Sequence, residues 1–171
     1  VREYVEVLDR QSARLKKLIE DLLEASKAST GNVEMHMEPC DAAVMISQVV
    51  GEYQDKLQAQ DIEIVVNEAK NPANIMADGR HLWRVFDNIM SNLCKYTQDH
   101  TRVYVNVEDA GDQVRMIFKN ISKYPLNISS DELMERFVRG DASRNTEGHG
   151  LGLSIASSLT ALMDGQLTID I

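Results

Sequence analysis

The chain has 171 residues, 43% of them hydrophobic, and a formal charge of −9. That length supports one domain with a real core plus an appended element, and the negative balance argues against nucleic acid or an acidic membrane as main partner. No apolar run approaches the ~20 residues needed to span a bilayer, and Cys40 and Cys94 have neither metal-ligand spacing nor a secretory context, so reduced thiols in a cytosolic compartment are expected.

Residues 1–28 read as one helix. Val1, Tyr4, Leu8, Gln11, Leu15, Leu18, Leu22 and Ala25 recur at spacings of three and four, and Val5 and Ile19 widen the stripe. Such a stripe needs a partner, either its own domain or the second half of a helical hairpin that pairs in a dimer. Gly31 breaks the helix, which places a domain boundary there, with units at 1–30 and 31–171.

Val33, Met35 and Met37 alternate with polar residues and predict a short strand ended by Pro39. Asp41 caps a helix over about 42–60 that turns Val44, Met45, Val49, Tyr53 and Leu57 to one side. Ile62, Ile64 and Val66 predict a second strand, and Ile75 with Met76 a third, after a turn at 71–74. Asp78 caps a strong helix over about 79–97. Strands over 101–107 and 113–119 flank the turn at 109–112 as a hairpin. Ser130 or Asp131 caps a short helix to about Phe137, a loop runs to Gly150, a helix covers 151–163, and a last strand fills 166–171. Strands and helices mix without strict alternation, so an α+β fold is expected, with helices on one face of a mixed sheet.

Two stretches carry chemistry. Gly148, Gly150 and Gly152 alternate directly before an apolar helix pattern. The backbone there can approach a ligand closely, and free helix N–H groups suit a phosphate chain; a simple tight turn has the same composition. On the helix 79–97, Asn88 and Asn92 lie four apart and share a face, with Lys95 and Tyr96 one turn further. Two asparagines are poor choices for helix packing. An amide oxygen suits Mg²⁺, which takes most other ligands from phosphates and water, and a lysine one turn on can neutralise phosphates. A solvated helix face is the other reading of this segment.

In combination these stretches resemble the sensor histidine kinases of two-component systems. Residues 81–97 resemble the N box, 135–144 the F box and the start of the ATP lid, and 147–153 the G2 box, in family order. The resemblance covers nearly the whole chain. It implies the two-layer α/β sandwich of the GHKL superfamily (the Bergerat-type ATP-binding fold), with about five strands under three helices and truncated at its final strands. It also makes residues 1–30 the second helix of the dimerisation and phosphotransfer hairpin. ATP and Mg²⁺ are the implied cofactors. Asn92 is then the metal ligand, Lys95 faces the phosphates, and Tyr96 lines the nucleotide site. Arg139 and Arg144 reach in from the lid, Phe137 seats the lid, and Gly148, Gly150 and Gly152 supply N–H groups. Solvated loop charges are the other reading of the two arginines. Asn88 stands where the ATP-hydrolysing members of the superfamily have a glutamate. An amide is a very poor base, which favours transfer of the γ-phosphoryl group over hydrolysis.

Two departures accompany the resemblance. None of His36, His81, His100 and His149 stands in an acceptor context, and Val1 is no native start, so the chain is expected to be a fragment, inactive alone. At the G1 box, usually Asp-x-Gly-x-Gly, Asn120 takes the aspartate place and Ser122 and Tyr124 replace the glycines. Asn120 can still accept from the adenine amino group, without charge assistance. Tyr124 can stack on adenine, fill the pocket or face solvent. The expected function is the catalytic module of a histidine kinase, in a homodimer, serving a hairpin histidine and a response regulator, within the cytoplasmic portion of a membrane-anchored bacterial sensor. The alternative is a pseudokinase-like docking module with weak or no nucleotide binding. A serine-directed kinase or a hydrolase on the same fold is opposed by the heptad helix and by Asn88 respectively.

Overall fold

The apolar stripe and charged flanks of the first segment form helix α1, Arg2–Ser29. It stops where the sequence allows a left-handed residue. Gly31 has φ +71°, its N–H donates to the Ala28 carbonyl, and the Asn32 N–H donates to the Lys27 carbonyl at 3.0 Å, which closes the helix with a Schellman motif. This computed structural model describes residues 2–68, 73–133 and 151–171.

The expected strand over 33–37 does not form. Val33 and Met35 pack against the core, and the ladder begins later, at strand β1, Glu38–Asp41. Period-two alternation marks any extended segment lying on a core, whether or not a neighbour pairs with it. Pro39 is tolerated inside β1 because, among the described strands, β1 pairs with β3 (Asn74–Ala77) alone, with Pro39 opposite Met76. Helix α2, Ala42–Gln58, starts as expected at Asp41, whose Oδ1 accepts from the Ala43 and Val44 N–H groups. Its buried face is rotated from the expected one. Ile46 is fully buried and Val44 is exposed, and Ala42, Val49, Val50, Tyr53 and Leu57 complete the face.

Strand β2, Glu63–Asn67, runs parallel to β4, Arg102–Asp109, and β5, Val114–Lys119, returns antiparallel to β4. The β4–β5 turn closes through Gly111 at φ +87°, with Asp109 Oδ1 accepting from the Gly111 N–H. The five described strands therefore divide into a two-stranded ribbon and a three-stranded mixed sheet in the order β2-β4-β5. Along β4, Val103, Val105 and Val107 are buried while Arg102, Tyr104 and Glu108 are exposed. One sheet face is covered and the other meets solvent, which is the two-layer arrangement.

The cover consists of α2, of α3 (Gly79–Tyr96) and of α4 (Leu151–Leu162). From α3, Leu82, Val85, Phe86, Met90 and Leu93 enter the core, with the Phe86 ring 6.2 Å from that of Phe118 on β5. From α4, Ile155, Ala156 and Leu159 do the same. Each fully buried aliphatic side chain here contributes about 1.5–3 kcal/mol. The expected strand at 166–171 pairs with none of the described strands, although Leu167 packs against the core; without a cross-strand neighbour its alternation gives only extended chain. The short helix begins at Ser130 but is capped by Ser129, whose Oγ accepts from the Glu132 N–H, and not by Ser130 or Asp131. The rest of that helix lies outside the described residues.

Candidate functional site

Helix α3 is fixed at its start by Asp78. This residue is 4% exposed; its Oδ1 accepts from the Arg80 and His81 N–H groups, and its Oδ2 accepts from the His36 N–H at 2.9 Å. Burial alone would raise the carboxyl's pKa, but those three donors and the charge of His81 outweigh it and hold the value low. One carboxylate thus caps the helix and ties the segment after α1 to it.

Three turns along, the expected asparagines appear in sequence. Asn88 is buried, 8% exposed, and faces the first turn of α4. A Cβ on Gly152 would stand 3.4 Å from Asn88 Oδ1 and 3.8 Å from its Cγ. Asn88 Nδ2 has no hydrogen-bond partner among the described residues. A buried amide nitrogen left without an acceptor costs about 1–3 kcal/mol, and a ligand acceptor would satisfy it. Asn92, one turn on, is half-buried; Lys95 is exposed and Tyr96 half-buried at the end of α3. No group of three His, Cys, Asp or Glu side chains among the described residues could hold a metal. An amide oxygen that could reach a cation and a lysine that could meet phosphate oxygens fit Mg²⁺ carried in with a nucleotide rather than a resident metal cage.

The stretch that replaces the G1 box is pinned beside the end of α3. The Tyr96 carbonyl accepts from the Lys123 N–H at 2.7 Å, the Gln98 N–H donates to the Ile121 carbonyl, and Thr97 bridges Ser122. Ser122 Oγ donates to the Tyr124 carbonyl, and the Tyr124 side chain is exposed. Asn120 is exposed at the end of β5 and lines a different feature, an open cleft of about 920 Å³ with Gln58, Asp61, His100, Arg102 and Tyr104. The structure therefore brings Asn88 and Gly152 together, with Asn92, Lys95 and Tyr96 following on the same helix, and has Asn120 line the cleft just before the stretch pinned to the end of α3. Arg139, Arg144, Gly148, Gly150 and Phe137 lie outside the described residues.

Sequence reasoning missed two groups. Thr97 is fully buried and its Oγ1 has no partner among the described residues; only its place directly after Tyr96 hinted at it. Arg84, one turn before Asn88, gathers carboxylates from α1, pairings across 60 and 63 positions in the chain that no local pattern announces.

Comparison with known proteins bears on the family and the fold. The profile of the family described as histidine kinase-, DNA gyrase B-, and HSP90-like ATPase matches residues 77–170. The sensor protein VanS of Enterococcus faecium is 28% identical over 167 residues, covering 96% of this chain and 43% of its own length. The adaptive-response sensory kinase SasA of Synechocystis is 26% identical, with coverage of 94% and 42%. The chain thus spans less than half the length of these relatives. The fold is similar to that of full-length ShkA in complex with AMPPNP, with a TM-score of 0.78, 24% identity, and coverage of 95% of this chain and 34% of that one.

Proposed function

Because the chain belongs to the family of histidine kinase-, DNA gyrase B- and HSP90-like ATPases, we propose that residues 31–171 are the ATP-binding catalytic unit of a sensor histidine kinase and that α1 is the second helix of its phosphotransfer hairpin. The observation that carries the reading is the row Asn88, Asn92 and Lys95 on α3, with Gly152 facing a buried Asn88 whose Nδ2 lacks a partner among the described residues. Relatives across nearly the whole chain named as sensor kinases support the choice within the family.

Mg-ATP would supply the phosphoryl group, with the cation offsetting phosphate charge. Asn92 offers an amide oxygen to that cation, and Lys95 a point charge to the phosphates. Gly152, in the first turn of α4, leaves room above Asn88 and lets backbone N–H groups face the phosphate chain, with Gly148 and Gly150 assigned the same task. Arg139 and Arg144 are assigned to phosphate oxygens from the lid, Tyr96 to the wall of the site, and Asn120 to the adenine amino group. Asn88 cannot activate water as a carboxylate would, so the site transfers rather than hydrolyses. The acceptor is assigned to a histidine on the other hairpin helix. Among the described histidines, His36, His81 and His100 sit in the segment after α1, at the start of α3 and in a turn. The whole protein is assigned a homodimer through α1, a response regulator as partner, and a place in the cytoplasmic part of a membrane-anchored sensor. No helix among the described residues is long and apolar enough to cross a membrane.

Calorimetric titration of ATP with and without Mg²⁺ tests the assignment, in wild type and in Asn92→Ala. Binding should be Mg²⁺-dependent in the first and lose that dependence in the second. Equal dependence in both removes Asn92 from the site. No binding at millimolar nucleotide returns the pseudokinase alternative. Tighter ATP but unchanged GTP binding in Asn120→Asp makes residue 120 the adenine reader; an equal change in both excludes it.

A further inference from the structure

Helix α1 rests on the catalytic unit through its C-terminal end, which lies against α4 and meets the core with small side chains. Ala28 is its only buried residue among those described, and Ala25 packs beside it. Leu15, Ile19, Leu22 and Leu23 are all at least half exposed. Among the described residues, the hydrogen bonds that join α1 to α3 all come from one guanidinium. Arg84 Nε donates to both carboxylate oxygens of Glu24 at 3.1 and 3.0 Å, and Nη2 donates to Glu24 Oε2 at 2.8 Å and Asp21 Oδ1 at 3.0 Å. Nη1 reaches Asp87 Oδ2 at 3.5 Å, and Asp87 Oδ1 in turn accepts from the Tyr53 hydroxyl at 2.6 Å.

We propose that this cluster is an ionic clamp: Arg84 fixes the angle between α1 and the catalytic unit, and its opening frees that unit to swing. Three carboxylates surround one cation, so they hold together only while the guanidinium sits among them and repel one another when it leaves. The side chains of Arg84 and Asp21 are 25% and 17% exposed, buried enough for the pairing to be strong and open enough for water and salt to compete. A link between α1 and α3 made of ionic hydrogen bonds, beside a contact with α4 that meets the core through alanines, is one in which relative motion is expected. Burial works against the charge of Arg84, and Glu24 and Asp21 more than offset it, so the clamp stays charged. Its position gives it consequence. Arg84 is one turn before Asn88 on α3, and α1 also touches α4, which carries Gly152. The clamp governs how the nucleotide site is presented to a phosphoacceptor, a consequence that rests on the function proposed above. Arg84 is thus a positioning residue and touches no nucleotide.

The test measures a distance rather than an activity. Spin labels go on Arg10→Cys in α1 and Glu108→Cys in β4, with Cys40→Ser and Cys94→Ser, mixed with excess unlabelled chain so that only distances within one chain are read. At low salt the wild-type background should give one narrow distance population. Arg84→Gln should broaden it, as should about 1 M sodium chloride, where the Debye length is only about 3 Å. The pair Asp21→Asn with Glu24→Gln, which leaves the catalytic unit untouched, should broaden it likewise. Arg84→Glu combined with Glu24→Arg, which keeps one cation among three carboxylates, should restore the narrow population. The same narrow distribution in wild type, in Arg84→Gln and in the Asp21→Asn, Glu24→Gln chain would overturn the clamp. A fall of more than tenfold in ATP affinity in Arg84→Gln would instead place Arg84 in the nucleotide site. Failure of the wild type to bind ATP would sink the proposed function and leave the distance result to judge the clamp by itself.

Discussion

Gly152 and Asn88 face each other across the α3–α4 contact so closely that a Cβ on residue 152 would lie 3.4 Å from Asn88 Oδ1. That is ordinary contact for one methyl group and too little for a longer side chain. Gly152→Ala should keep the fold, because alanine gains up to about 1 kcal/mol of helix propensity. Gly152→Leu should overpack the contact and lose about 1–3 kcal/mol. Denaturant melts of both variants check the pair, and equal stability would mean that α4 can shift away from α3 without cost.

Asn88 itself should behave as a residue kept for something other than stability. Its Nδ2 lacks a partner among the described residues. Asn88→Ala removes that unpaired group and improves helix propensity, against the loss of some packing. Thermal stability should hold or rise, while ATP affinity falls roughly three- to tenfold, about one neutral hydrogen bond. A variant that melts earlier and binds ATP as well as wild type would make Asn88 a packing residue.

Asp78→Ala should be among the costlier single changes outside the apolar core. It removes the cap of α3, about 0.5–2 kcal/mol, and the charged bond to the His36 N–H, about 1.5–3 kcal/mol. The carboxyl's folded pKa lies below its unfolded value of 3.8. Its contribution is therefore complete above that value and is lost as pH falls through the lower folded one. The stability gap between wild type and Asp78→Asn should be constant near neutrality and shrink under acid. A gap that does not change between pH 7 and pH 2 would remove the charge from the account.

The stripe on α1 makes a separate prediction. Leu15 and Leu22 are 57% and 58% exposed, so Leu15→Glu with Leu22→Glu should leave the melting temperature of the isolated chain nearly unchanged. If α1 forms a dimer seam, the same pair should shift the full protein from dimer to monomer in light scattering. A persistent dimer would place the seam elsewhere.

Local chemistry made much of this molecule legible in advance. Asp41 and Asp78 announced their helices because a side-chain oxygen before an apolar helical pattern has one dominant use, and the turn around Gly111 announced its hairpin. Asn88, Asn92 and Lys95 were readable as a group because helical spacing fixes which side chains share a face. What depended on distant partners was not readable. The alternations at 33–37 and 166–171 look like strands, but a ladder needs a neighbour, and sequence spacing does not supply one. The bond from the His36 N–H to Asp78 and the carboxylates around Arg84 join residues about 40 and 60 positions apart. Asn120 was assigned to the base pocket by its place in a motif; it is exposed just after β5 and lines a cleft with residues of α2, β2 and β4, surroundings that no local pattern announces.

The parallel pairing of β2 with β4 has a consequence for how the chain reaches this state. A parallel pair cannot close through a turn: Ile64 meets Val103 only after β3 and all of α3 have been placed between them. The β4–β5 hairpin needs four linking residues and no outside help, so it is the natural nucleus, with β2 arriving late. Changes at the Gly111 turn should then slow refolding, whereas breaking the Arg102–Glu63 pair that bridges β4 and β2 should act mainly by speeding unfolding.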